Sequence, residues 1–330
     1  MRDSMHSGDD NPIIRPGEDA DAAARKARRN ERRRLNSKAN KTLLIGVAAT
    51  LLGGIFWGCS GTSASYLFEN YQVDTLWLMS VRQLFSGLLF MVIVLLFERE
   101  KLRQLLTTPR HLVTLAVFAF LGLAANQLFY LLAVRYTNAG TATVLQCLQL
   151  VLIMGFTCIA ARRVPRPREI AGLILAFAGT FLIATAGDPS ALSIPPAGLL
   201  FGLLSALSAA CISIIPVKIL PIYGSSVVTG TAMFSSGLVM SVVVQPWSHV
   251  PHLDGAGWSA LAILVFIGSF LAYFLYLQGV KDIGSVRASL IGTVEPLSAT
   301  VTSALVLGTV FAPTDLIGFA CIIVMVFLTV

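Results

Sequence analysis

Ten runs of about twenty apolar residues, each long enough for a membrane-crossing helix, follow one another along this chain. They cover residues 42–64, 75–97, 111–133, 139–160, 167–187, 197–217, 225–245, 256–279, 285–307 and 313–330, here spans 1 to 10. Helix breakers fall between them. Thr108-Pro109 precedes span 3, Pro195-Pro196 opens span 6, and Pro216 and Pro221 bracket the turn after it. Pro167 and Pro313 stand where a first helical position would be, each followed two residues later by an acid, Glu169 or Asp315. An acid there suits the positive end of a helix dipole. Residues 1–41 are a different material: polar from Met1 to Asp21, then basic from Arg25 to Lys41. Such a stretch reads as a disordered tail whose charge holds the N-terminus in the cytoplasm.

A shift of 146 residues lays the second half of the pattern on the first. Tyr130, Val134 and Arg135 fall on Tyr276, Val280 and Lys281, Pro167 and Gly172 on Pro313 and Gly318, and Gly122 on Gly268. Identities are few, but one register persists, as a duplicated membrane segment would leave it. With the N-terminus inside, the inner loops carry Arg99, Lys101, Arg103 and Arg110, then Arg162, Arg163, Arg166 and Arg168, then Lys218, Lys281 and Arg287, against Arg135 outside. That bias predicts both termini in the cytoplasm. Five spans per half is an odd number, so the second half enters from the opposite side and the repeat is inverted.

Composition agrees. The chain is 55% hydrophobic and 12% charged, with a mean hydropathy of +0.77, more apolar surface than a soluble domain can hide. The net charge of +7 clusters in loops and the tail beside apolar spans, which argues for lipid head groups and against nucleic acid. Five cysteines, Cys59, Cys147, Cys158, Cys211 and Cys321, lie in apolar stretches without metal-site spacing. They read as small core residues.

The expected fold is therefore an all-α integral membrane protein, ten transmembrane helices in two inverted five-helix repeats (42–187 and 188–330) behind the tail (1–41). Gly54-Ile-Phe-Trp57-Gly58 in span 1, Arg82 in span 2, Glu295-Pro296-Leu-Ser-Ala299 in span 9 and the helix-opening patterns Pro167–Gly172 and Pro313–Gly318 resemble the drug/metabolite transporter superfamily, EamA type. The resemblance covers nearly everything from Lys41 to Val330. It implies two five-span repeats around a central cavity and movement of small metabolites, often amino acids or related solutes, by alternating access. One departure is local: where that family places a proline in span 4, this chain has Gln149-Leu150.

Charge inside hydrocarbon costs at least about 2.5–3.5 kcal/mol at a helix centre, so the few polar residues within spans are the candidate site. Glu295 sits near the middle of span 9, and its register partner Gln149 near the middle of span 4. Both belong at the depth where repeat-built transporters bind solute. Burial favours the neutral form of a carboxyl group, which makes Glu295 the candidate for proton coupling. A structural alternative is a bond to backbone freed by Pro296. Gln146 and Gln149 share a face with Thr143 and serve either a solute or helix–helix bonding. Arg82 is a candidate for an anionic group, a structural pairing or a snorkelling cation. Asn126, Gln127 and Tyr130 in span 3 and Tyr273 and Tyr276 in span 8 form matching polar faces, bordering a common cavity or, for Tyr276, an interfacial belt. Trp57, between Gly54 and Gly58, faces either cavity or packing.

No catalytic signature of a soluble enzyme is present, and His6, His111, His249 and His252 lie in the tail or at loop edges. The function expected is a secondary transporter, an exporter of small metabolites, in a bacterial plasma membrane. Its substrate-binding residues would be Trp57, Gln127, Tyr130, Gln146, Gln149, Tyr273 and Glu295. No catalytic residue, cofactor or metal is expected; the partners are a small molecule and the bilayer, and the state is a monomer or a homodimer. The alternative is a non-transporting polytopic protein, a sensor or a lipid-modifying enzyme. A sensor would carry a soluble domain, and an enzyme a cluster of acids or histidines at a membrane face.

Overall fold

A computed structural model describes residues 18–188, 193–283, 288, 291–292 and 294–329, and among them every regular element is a helix. Eight helices are long and apolar enough to cross a membrane: Asn40–Tyr71, Thr75–Phe97, Pro109–Tyr136, Ala139–Ala160, Pro167–Thr185, Pro196–Lys218, Ser225–Val244 and Gly255–Ile283. Two shorter apolar helices, Val294–Leu307 and Pro313–Leu328, complete spans 9 and 10. Part of span 9 as expected from the sequence, Arg287 included, lies outside the described residues.

Two units are distinguished, Met1–Ile45 and Gly46–Val330. In the first, the backbone is helical from Glu18 onward, through much of the stretch read as a tail. Its alanines, arginines and glutamates are strong helix formers, so local propensity accounts for the helix. The first seventeen residues lie outside the described part. Everything that follows concerns the second unit.

Its halves share backbone details as well as length. Span 3 passes through a π-helical stretch, Phe118–Ala124, and span 8 through another, Ile263–Leu271; the same shift that relates Gly122 to Gly268 superposes them. Span 5 begins with Pro167, and the Glu169 carboxylate accepts the Arg166 N–H at 2.6 Å. Span 10 begins with Pro313, and the Asp315 carboxylate accepts the Ala312 N–H at 3.0 Å. The bond satisfies one of the donors that a helix start leaves without an internal partner. The preceding turns take a left-handed residue at equivalent places, Arg162 (φ 49°) and Gly308 (φ 67°). The first-half loop adds a two-pronged ion pair from Arg163 to Glu169, 2.7 and 2.8 Å. That carboxylate raises the Arg163 pKa above the ordinary value.

Span 2 packs along span 7, and span 5 along span 10. The first crossing is reciprocal. A Cβ on Gly87 would lie 2.5 Å from the backbone nitrogen of Phe234, and one on Gly237 would lie 2.6 Å from that of Leu84. Each glycine thus opens a seat for the other helix, as a two-fold relation between the halves requires. Span 1 meets span 9 in the same way: a Cβ on Gly58 would sit 2.6 Å from the Ala299 nitrogen. The G-x-x-x-G face is therefore the packing face, and Trp57, one position away, is turned elsewhere.

Span 4 is interrupted. Helix runs from Ala139 to Gln146, yields at Cys147-Leu148, and resumes at Gln149. No proline causes this. The Cys147 N–H is shared between the Thr143 and Val144 carbonyls at 3.2 and 3.1 Å, a tightened turn of 3₁₀ character.

Candidate functional site: a polar cavity between the repeats

The seven substrate-binding residues expected from the sequence, and Arg82 with them, border one cavity of about 220 Å³: Trp57, Arg82, Gln127, Tyr130, Gln146, Gln149, Tyr273 and Glu295. They come from spans 1, 2, 3, 4, 8 and 9, so both halves contribute. Asn126 and Tyr276 join them, as does span 6 with Ala209, Ile212 and Ser213. An adjoining hollow of about 170 Å³ shares Trp57, Gln149, Ser213, Tyr276 and Glu295 and extends along Cys147, Leu150 and Ile153.

Part of the lining is a hydrogen-bonded polar cluster. The Gln146 amide donates to Asn126 Oδ1 at 2.7 Å and to Ser205 Oγ at 2.9 Å, tying spans 4, 3 and 6 together. Tyr130 and Thr143 join hydroxyls at 3.1 Å. Thr143 also donates to the Ala139 carbonyl at 2.7 Å, one helical turn back. Gln127 is 4% exposed and Tyr130 6%. Helix–helix bonding and cavity lining, alternatives in the sequence, thus coincide at Gln146: its amide nitrogen serves structure while the side chain borders the cavity.

Another part of the lining is aromatic. The ring of Trp57 meets Tyr273 edge-on (centroids 5.0 Å, 76°) and Tyr276 at a tilt (4.9 Å, 46°). Such a trio offers ring faces and hydroxyls to a flat or amphipathic solute. Tyr276 lines the cavity.

Two ionisable groups border the same space. Arg82 is 4% exposed, so it does not snorkel; its Nε donates to Ser269 Oγ at 2.5 Å. Its Nη1 is buried without a partner among the described residues. Glu295 lies in the first turn of the described helix Val294–Leu307. It forms no ion pair with Arg82; the ion pairs among the described residues are Lys101–Glu98 and Arg163–Glu169.

Sequence reasoning missed the serines. Ser205, Ser213 and Ser269 hold or line the site, yet serine in an apolar helix normally bonds its own preceding turn and leaves no trace in hydropathy. Elsewhere, Asp254 caps the helix that begins at Gly255, accepting the Gly257 N–H at 2.9 Å and the Tyr71 hydroxyl. These bonds, Tyr71 first, hold its carboxyl below the usual range. No group of acids, histidines and cysteines suited to a metal occurs among the described residues.

Apolar helices in two matched halves, enclosing a polar and aromatic cavity where the halves meet, are the construction of secondary transporters. The chain belongs to the EamA-like transporter family, whose pattern it matches twice, over residues 44–185 and 196–330. It is 33% identical over 273 residues to an uncharacterized inner membrane transporter, YicL, of Salmonella typhimurium, a match covering 83% of this chain and 91% of that protein. An uncharacterized transporter of Clostridium kluyveri is 25% identical over 285 residues, 84% of this chain and 91% of the relative. A crystal structure of a protein with 16% identity superposes with a TM-score of 0.57, over 88% of this chain and 96% of that one. That last likeness concerns the fold alone.

Proposed function

We propose that this chain exports small metabolites, amino acids or related amphipathic solutes among them, by alternating access around the central cavity, with proton exchange at Glu295. In this reading it sits in a bacterial inner membrane with both termini in the cytoplasm. One observation carries the proposal: polar and aromatic side chains from both halves converge on one cavity inside apolar helices. Keeping them there has a free-energy cost that packing alone does not repay. At about 220 Å³ the cavity is smaller than the roughly 300–1,000 Å³ typical of drug-sized ligand sites, which suits a compact solute. The aromatic wall suits an apolar or ring-bearing part, and the amides and hydroxyls a polar head. The excess of Lys and Arg in alternate loops supports the orientation, and the likeness to the Salmonella inner membrane transporter supports the membrane.

The test is a metabolite-resistance and efflux screen of cells with and without the protein, followed by flux in proteoliposomes. At least one amphipathic metabolite should leave faster, with a rate that follows the proton gradient. Glu295→Gln should remove the pH dependence. No solute-dependent difference in either assay overturns the transport reading; unchanged pH dependence in Glu295→Gln overturns proton coupling alone.

A further inference from the structure

We infer that Arg82 and Ser269 together form an anion receptor in the cavity wall, with Ser269 as the residue that positions the guanidinium, so that the solute carries a carboxylate or similar oxyanion. The inference rests on the transport reading and narrows it. Arg82 is nine-tenths buried and more, borders the cavity, and has a fixed charge that no accessible pH removes. A buried guanidinium held for structure alone is normally met by a carboxylate. Among the described residues Arg82 has no carboxylate at ion-pair distance, Glu295 lying farther off along the cavity lining; its hydrogen bond there is to the neutral Ser269 hydroxyl, and its Nη1 has no partner.

The geometry of Ser269 explains why it is at that place. In an α-helix its hydroxyl would reach the carbonyl four residues back. Within the π-helical stretch Ile263–Leu271 it donates instead to Leu264, five residues back, at 2.9 Å. With its proton directed to that carbonyl, the oxygen presents its lone pairs to Arg82 Nε. Such widened turns recur at functional positions. The matching π stretch in span 3 has Leu123 at the register equivalent of Ser269, and Leu123 is fully packed. Both halves keep the backbone device; one half has put a hydroxyl in it, opposite an arginine. With Nε occupied, the terminal nitrogens remain, and two parallel N–H groups are the arrangement that binds a carboxylate. Glu295 borders the same cavity without forming an ion pair with Arg82.

Matched pairs of compounds that differ in charge and little else provide the test: benzoate and benzamide, hexanoate and hexanamide, phenylacetate and phenylacetamide. Each is titrated against the purified protein in detergent, followed by thermal stabilisation and by Trp fluorescence. At least one acid should half-saturate at a concentration about tenfold below its amide, the scale of one charge-assisted hydrogen bond. Arg82→Gln should erase the preference. Ser269→Ala should cut it several-fold and Ser269→Thr should restore it, which a merely structural role for the hydroxyl would not produce. Amides that bind as well as acids, a panel in which no acid binds, or an undiminished preference in Ser269→Ala would overturn the inference. Efflux of a neutral or cationic solute by the same protein would leave the transport reading standing while the receptor falls.

Discussion

Gln146 shows how one side chain joins two requirements that a hydropathy profile separates. Its amide nitrogen bonds Asn126 and Ser205 at 2.7 and 2.9 Å, and the side chain borders the cavity. Replacing it by leucine keeps the volume and removes the donor shared by three spans. Asn126 Oδ1 then retains only the longer contact from Ser205, 3.4 Å. Interhelical bonds of this kind contribute about 0.6–2 kcal/mol in membranes. Gln146→Leu should therefore lower the melting temperature in detergent by a few degrees, whereas Gln127→Leu, whose side chain makes no side-chain bond among the described residues, should lower it less. Equal melting temperatures would mean that the cluster contributes nothing to stability. The glutamines, Glu295 and Arg82 were legible in the sequence because each is improbable in hydrocarbon. Ser205 and Ser269 were not, because serine is at ease there and acquires significance only from the partner that folding brings to it.

At the scale of the element, the spans and their caps could be read from proline, acid and apolar length, while the helix irregularities could not. The π stretches in spans 3 and 8 and the break at Cys147-Leu148 are choices of hydrogen-bond partner, i−5 or i−3 in place of i−4, and no residue type dictates them. The repeat nevertheless marked the π stretches, since Gly122 and Gly268 each lie inside one. Gly87 and Gly237 show what the same reading overlooked: glycines that matter for what crosses them. A methyl group on Gly87 would come within 2.5 Å of Phe234 backbone, which cannot yield as a side chain can. Gly87→Ala and Gly237→Ala should each force spans 2 and 7 apart at a cost of about 1–3 kcal/mol. The pair together should cost less than the sum, since the first separation accommodates the second. Gly155→Ala is the control, with nothing within 4 Å of the added carbon. Melting temperature and monodisperse yield read all four; full additivity would deny that the glycines serve one crossing.

For the whole molecule, alternating access requires that the halves part on one side of the cavity while they close on the other. Where spans 1 and 9 meet, Thr62 and Thr302 share a hydrogen bond of 2.6 Å, with Ser303 at 3.3 Å. Hydroxyls make a contact that can be exchanged for water at little cost, and this one lies one turn from the close seat of Gly58 on Ala299. Whether the two spans part there or stay locked by that seat is what a crosslink decides. Thr62→Cys/Thr302→Cys, with the five native cysteines replaced, places two thiols where the hydroxyls now touch, and oxidation should link them. If spans 1 and 9 separate here during the cycle, the oxidised protein should lose at least about nine-tenths of its flux, since a disulfide holds one state against the few kcal/mol that normally divide two. Reductant should restore it, and each single cysteine should transport at the parental rate with or without oxidant. A linked protein that transports normally would make this contact part of the fixed scaffold, and the moving surfaces would then have to lie elsewhere between the halves, with the crossing of spans 5 and 10 the next place to bridge.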